Sequence, residues 1–200
     1  MGIKNICVYG ASSANLDKCY TDAVYALGKE IASRGFGLVF GAGDKGLMGA
    51  VARGALDAGG SITGIVPSFF NVDGVLFEHC TELIYTETMR ERKDLMDKRS
   101  DAFIAAPGGI GTFEEFLEML TLKQLGRHNK PMVLFNVNGY YDCMLDMIEH
   151  AISEGFIKPA CRELYHVSDT PADALSYIES YVPCALSVQE LKNIQIEKES

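Results

Sequence analysis

The stretch SDAFIAAPGGIGTFEEF, residues 100–116, decides how this chain is read. The run AFIAA is short, apolar and bounded by a turn signal, as a buried strand is. PGGIGT is a glycine-rich loop. Behind it Phe113, Phe116, Leu117, Met119, Leu120, Leu122 and Leu125 recur as in a helix, with more apolar surface than one stripe needs. Strand, glycine loop and helix together form the unit of an open parallel sheet, whose ligands bind at the carboxyl ends of the strands. The glycines let backbone N–H groups approach an anion, and the helix start behind them carries partial positive charge. Yet the loop has no lysine, and no GxxxxGK[ST] occurs in the chain, which removes the ordinary NTP-hydrolysing P-loop. Instead Glu114 and Glu115 enter the first turn. Thr112-Phe113-Glu114-Glu115 fits a capping box in which Thr112 starts the helix and Glu115 reaches back to its N–H; a ligand role for Glu115 competes with that reading. Glu114 and Glu118 read as solvent-facing residues or dipole partners.

Working outward, short apolar runs alternate with helix-periodic ones along the whole chain, which predicts a parallel sheet with crossover helices. Strands are expected near residues 6–9, 38–40, 62–66, 82–85, 102–106, 132–135 and 165–167. Helices are expected near 17–34, ending at Gly35, and near 45–58, 89–99, 112–125, 140–154 and 171–181. The fold class is therefore α/β, a doubly wound parallel sheet flanked by helices. At 200 residues and 48% hydrophobic composition, one domain over residues 1–183 is expected, followed by a polar tail over 184–200 that forms a short helix or stays partly disordered.

Two further loops, YGASSAN (9–15) and FGAGDKGLMG (40–49), also follow strands and precede helices, so three loops should gather on one sheet edge around a nucleotide or sugar phosphate. Ser12 and Gly43 are their candidate contacts. GAGDKG matches GxGxxG, but it lies in the second strand–helix unit and no acidic residue ends the next strand, which makes it a weak dinucleotide site.

The net charge of −9 and pI near 4.9 argue against a nucleic-acid or anionic-membrane surface. The six cysteines show no metal-ligand spacing to histidine and no CxxC pair, so reduced thiols and a cytoplasmic protein are expected. No signal peptide or membrane span is legible.

Ahead of the PGG loop, TMRERKDLMDKRSD (88–101) reads as a basic helix whose Arg90, Lys98 and Arg99 form a solvated face with Glu91 and Asp97 as partners. Arg92 differs, because its helix leads directly into the strand carrying PGGIGT. A guanidinium there can fork onto phosphate, ribose or base.

With PGGIGTFEE at 107–115 and MRERK at 89–93, matching PGGxGTxxE and MxxRK in order and spacing, the chain resembles the LOG family of cytokinin-activating nucleoside 5'-monophosphate phosphoribohydrolases. GLMG at 46–49, KP at 130–131 and NVNGYYD at 136–142 support the resemblance, which spans roughly residues 5–183. It implies a Rossmann-like fold, a homodimer, and cleavage of the N-glycosidic bond of a nucleoside monophosphate such as AMP or an N6-modified AMP, without metal or organic cofactor. It further implies Arg92 and Glu115 as the catalytic pair. Lys93, Met89, Gly108, Gly109, Gly111, Thr112 and Thr121 are the implied substrate contacts. Ala42, standing where the family has glycine, is expected to add a methyl near the ligand edge. A nucleotide-sensing module using the same cradle without turnover is the alternative. The lysine decarboxylase label that relatives have carried finds no pyridoxal phosphate motif here.

Overall fold

The computed structural model describes residues 2–70, 74–183 and 185–192. The elements run β1 (Asn5–Tyr9), α1 (Lys18–Ser33), β2 (Gly37–Phe40), α2 (Gly46–Asp57), β3 (Ile62–Pro67), β4 (Glu82–Thr86), α3 (Met89–Lys98) and β5 (Ala102–Ala105). They continue with α4 (Ile110–Gln124), β6 (Met132–Phe135), α5 (Asp142–Ser153), β7 (His166–Ser168), α6 (Pro171–Glu179) and α7 (Val188–Leu191). Each expected strand and main helix forms, within three residues at its ends. Among the described residues, 3₁₀ segments at Ser68–Phe70, Val137–Gly139 and Pro159–Leu164 are too short to carry a legible sequence period.

The strands form one parallel seven-stranded sheet in the order β4-β3-β2-β1-β5-β6-β7, with Ile6 of β1 facing Leu38 on one side and Ala102 on the other. Strands β2, β5 and β6 are buried at every position, which is why they read as unbroken apolar runs instead of alternating ones. On one face α1, α2 and α6 pack Val24, Leu27, Val51 and Leu175 against the sheet. On the other, α3, α4 and α5 contribute Met96, Phe116, Met119 and Leu145. Helix α1 stops as expected: Gly35 takes φ +83°, and its N–H and that of Phe36 return to the carbonyls of Ala32 and Ile31.

The described part of the expected tail holds α7, opened by a capping box between Ser187 and Glu190. Its Leu191 is buried against Cys161 and Leu164. Positions 184 and 193–200 lie outside the described residues. Among the described residues no helix is long and apolar enough to cross a membrane.

Candidate active site

The sheet order reverses at β1, whose neighbours are β2 and β5, so the loops leaving β1 and β5 frame the crevice where ligands bind in open α/β sheets. The two loops are tied by Ala11 N–H donating to the Pro107 carbonyl at 3.1 Å. The three glycine-rich loops differ in what they leave open. The first-turn N–H groups of α2, from Leu47 and Met48, both donate to the Ala11 carbonyl (2.8 and 3.3 Å), and Asp17 caps α1 by accepting from Cys19 N–H. In α4 the N–H groups of Ile110, Gly111 and Thr112 have no acceptor among the described residues. Of the three loops, the PGG loop thus leaves three successive helix-start donors open among the described residues, against the single first N–H of α1 (Lys18) and of α2 (Gly46). A cavity of about 550 Å³ lies over them. It brings together Ser12, Gly43, Met89 and Arg92 with Gly109, Gly111, Thr112 and Glu115.

Helix α3 is aimed by a capping box that the sequence reading passed over. Thr88 Oγ1 accepts from Glu91 N–H (3.1 Å), and Glu91 reaches back to the N–H groups of Thr88 and Glu87. Met89 and Arg92, three residues apart, then share the face toward the crevice, and Met96 continues that face into the core. Arg92 Nε donates to the Ile65 carbonyl (3.2 Å) and Nη1 to Glu115 Oε1 (3.3 Å). Its guanidinium lies directly over the β2 loop: a methyl at Gly41 would come within 2.0 Å of Arg92 Nη2, so a side chain there would have to push the guanidinium aside.

Lys93 follows Arg92 in sequence but is turned about 100° around the helix, and it faces α4 instead of the cavity. It pairs there with Glu114 and, at 2.8 Å, with Glu118. Burial lowers the Lys93 pKa, but the two carboxylates outweigh it and the net direction is up. Glu114 and Glu118 are thus committed to a cation, not merely exposed. The expected partners on α3 are also redistributed: Glu91 caps its own helix, Asp97 pairs with Lys130, Lys98 with Asp94, and Arg99 with Glu82.

The capping box expected at Thr112 and Glu115 does not form. The helix starts two residues early, with Gly109 as N-cap and Thr112 as its third residue. Thr112 is buried and its side chain packs over Gly108, where an added methyl would meet Oγ1 at 2.1 Å. Glu115 is therefore free of backbone capping. It and Arg92 are only 12% and 11% exposed. Their contact is single and, at 3.3 Å, long against the 2.7–2.9 Å usual for a charge-assisted bond. Burial accordingly wins, and the Glu115 pKa rises from 4.5 to about 7, with Arg92 opposing the rise and Glu114 adding to it. A carboxyl that titrates near neutrality in a cleft is suited to proton transfer and to meeting developing positive charge.

Two tyrosines hold the PGG loop from behind. Tyr140 Oη donates to the Gly108 carbonyl (2.6 Å) and Tyr141 Oη to the Ala106 carbonyl (2.7 Å). Asn136 fixes Tyr141 by accepting its backbone N–H at 2.6 Å. Nothing in the pattern NVNGYYD distinguishes these hydroxyls from ordinary packing; only the long-range contact does. Gly108 consequently sits behind the cavity wall. Thr121, farther along α4, lines a separate cavity of about 440 Å³ with Leu117, Gln124 and Phe156. Ala42 corrects a further expectation. It is fully buried with φ +60°, and its methyl lies near Gly64 of β3 instead of at the ligand edge.

An open parallel sheet with unfilled helix-start donors and a buried arginine–carboxylate pair over its switch point defines a Rossmann-like α/β protein with a crevice at the carboxyl edge of its sheet. A family model described as possible lysine decarboxylase matches residues 48–178. The cytokinin riboside 5'-monophosphate phosphoribohydrolase LOG3 of Arabidopsis thaliana is 42% identical over 181 residues, covering 90% of this chain and 84% of that protein. The probable phosphoribohydrolase LOGL3 of Oryza sativa subsp. japonica is 41% identical over 180 residues, covering 90% and 85%. The chain belongs to this LOG family. Among solved structures, the molybdenum cofactor carrier protein MCP from Chlamydomonas reinhardtii superposes with a TM-score of 0.67 at 24% identity, over 88% of this chain and 96% of that one. The molybdenum cofactor binding protein of Rippkaea orientalis gives 0.66 at 22% identity, over 90% and 96%. At such identity these two share the fold.

Proposed function

We propose that the protein hydrolyses the N-glycosidic bond of a nucleoside 5'-monophosphate. The carbon–nitrogen bond breaks, water adds at the anomeric carbon, and free base and ribose 5-phosphate leave. The observation that carries this reading is the buried Arg92–Glu115 pair beside the open donors of α4, in a chain whose relatives bear phosphoribohydrolase names.

In this reading the donors of Ile110, Gly111 and Thr112 take the 5'-phosphate, and that remote grip positions the reacting centre. Glu115 lies one turn into the helix and addresses the ribose. Ionised, it stabilises the oxocarbenium-like sugar and orients the attacking water. Arg92 steadies the nucleotide and the charge on the departing base. The apolar wall of Val66, Pro67, Phe70, Leu76 and Met89 receives the base, which suits AMP and N6-alkylated AMP. No step calls on a metal or organic cofactor. The protein is a homodimer in this reading, and the exposed apolar residues Leu117 and Phe156, which line one surface cavity, are where a second copy would pack. A cytoplasmic location is part of this reading, as a nucleotide substrate suits it.

Purified protein incubated with AMP or N6-isopentenyl-AMP should release free base and ribose 5-phosphate in equal amounts. Binding of either nucleotide without product would overturn the hydrolase reading in favour of a nucleotide sensor. Light scattering after gel filtration tests the dimer, which a mass of 21.8 kDa would exclude.

A further inference from the structure

Among the described residues the crevice is lined by two cationic side chains, Arg92 and Lys45. Arg92 is engaged by Glu115 and the Ile65 carbonyl. Lys45 is exposed, and its ammonium has no hydrogen-bond or ion-pair partner among the described residues. Its neighbour Asp44 is taken by Arg53.

An unpaired lysine on a protein surface is ordinary, so position is what matters. Lys45 is the N-cap residue of α2, immediately before Gly46. Gly46 nests under the β1 loop so closely that an added methyl would lie 2.5 Å from the carbonyls of both Ala11 and Ser13. The base of Lys45 is thereby pinned beside Ser12, on the loop that the Ala11–Pro107 bond ties to the PGG turn. The GAGDKG stretch, which by pattern offers a phosphate-binding helix start, has two of its three first-turn donors, those of Leu47 and Met48, consumed by Ala11. What it contributes to the crevice is this ammonium.

A phosphate monoester brings a charge of about −1.5 to −2 at neutral pH. The α4 start supplies about half a positive charge, and Arg92 is offset by Glu115 once that carboxyl ionises. A further full positive charge facing the crevice would strengthen its hold on such an anion. We propose that Lys45 is that counter-charge: it pairs with the substrate phosphate and selects dianionic monoesters over unphosphorylated nucleosides. The assignment rests on the phosphoribohydrolase reading of the same crevice.

Lys45→Met keeps the aliphatic stem at an exposed position, and Lys45→Arg restores the charge. With AMP, Lys45→Met should raise KM about tenfold, change kcat less than threefold, and flatten the rise of KM with salt, while Lys45→Arg recovers most of the loss. Hydrolysis of adenosine, which has no phosphate, should be unchanged. Calorimetric affinity for ribose 5-phosphate reads the contact without turnover and should fall by a similar factor. If wild-type protein binds ribose 5-phosphate through Lys45 yet cleaves no nucleotide, the contact stands and the hydrolase reading falls. Unchanged AMP KM and ribose 5-phosphate affinity in Lys45→Met would overturn the proposal, as would equal losses on AMP and adenosine.

Discussion

Replacing Glu115 with glutamine should make the protein both inactive and more stable above neutral pH. The rise in the Glu115 pKa from 4.5 to about 7 means that the folded protein holds this proton more tightly than the unfolded chain. The resulting contribution to stability is fully present below 4.5 and is lost as pH rises through about 7. At about 1.4 kcal/mol per pKa unit, the loss at pH 8 is about 3 kcal/mol. Near pH 5.5 it is only about 1 kcal/mol. Glutamine mimics the protonated carboxyl and does not titrate. The advantage of Glu115→Gln should therefore grow from about 1 to about 3 kcal/mol across that range, or about 6–12 °C in Tm at pH 8 for a chain of this length. Because the chain has no tryptophan, thermal unfolding is followed by far-UV circular dichroism at both pH values without ligand. In parallel, kcat/KM of the wild type should rise with pH through about 7, and that of the variant should be lower by at least about a hundredfold. A variant less stable than wild type at pH 8 would mean that the single contact to Arg92 outweighs burial, contrary to the reasoning. A stable variant with full hydrolysis would remove Glu115 from the chemistry.

Four other substitutions test neighbouring contacts. Gly41→Ala forces the Arg92 guanidinium from its seat 2.0 Å from the new methyl; kcat/KM should fall about a hundredfold, with a loss of stability of about 1–3 kcal/mol by denaturant unfolding. Arg92→Lys cannot span Glu115 and the Ile65 carbonyl with one ammonium, so kcat should drop at least about tenfold while circular dichroism stays native. Tyr141→Phe leaves the buried Ala106 carbonyl without its donor and should cost about 1–3 kcal/mol, with a higher KM for the monophosphate. Tyr140→Phe should cost less, since that tyrosine is 39% exposed and water can replace its hydroxyl.

The sheet was legible because its central strands are buried on both faces, so 38–40, 102–106 and 132–135 are apolar without interruption. The helices were legible from their 3.6-residue period, and the crevice from glycine loops at strand ends. The roles within the crevice were not. Three segments near helix starts, 88–91, 112–115 and 187–190, have the capping-box pattern, and of these only the first and last form the box. In the middle one the helix begins at Ile110, so the reciprocal geometry is lost and Glu115 is left for Arg92.

The order of apolar and polar residues alone determined a parallel α/β sheet, its glycine-loop edge and the two segments that supply Arg92 and Glu115, because those features depend on local period and on which side chains avoid water. Tertiary structure decided the rest: that Arg92 enters the crevice while adjacent Lys93 turns to Glu114 and Glu118, that α4 keeps its first three donors open toward the crevice, and that burial lifts the Glu115 pKa to about 7. Each of these depends on groups brought together from distant parts of the chain, on how far they are taken from water, and on which partner reaches them first.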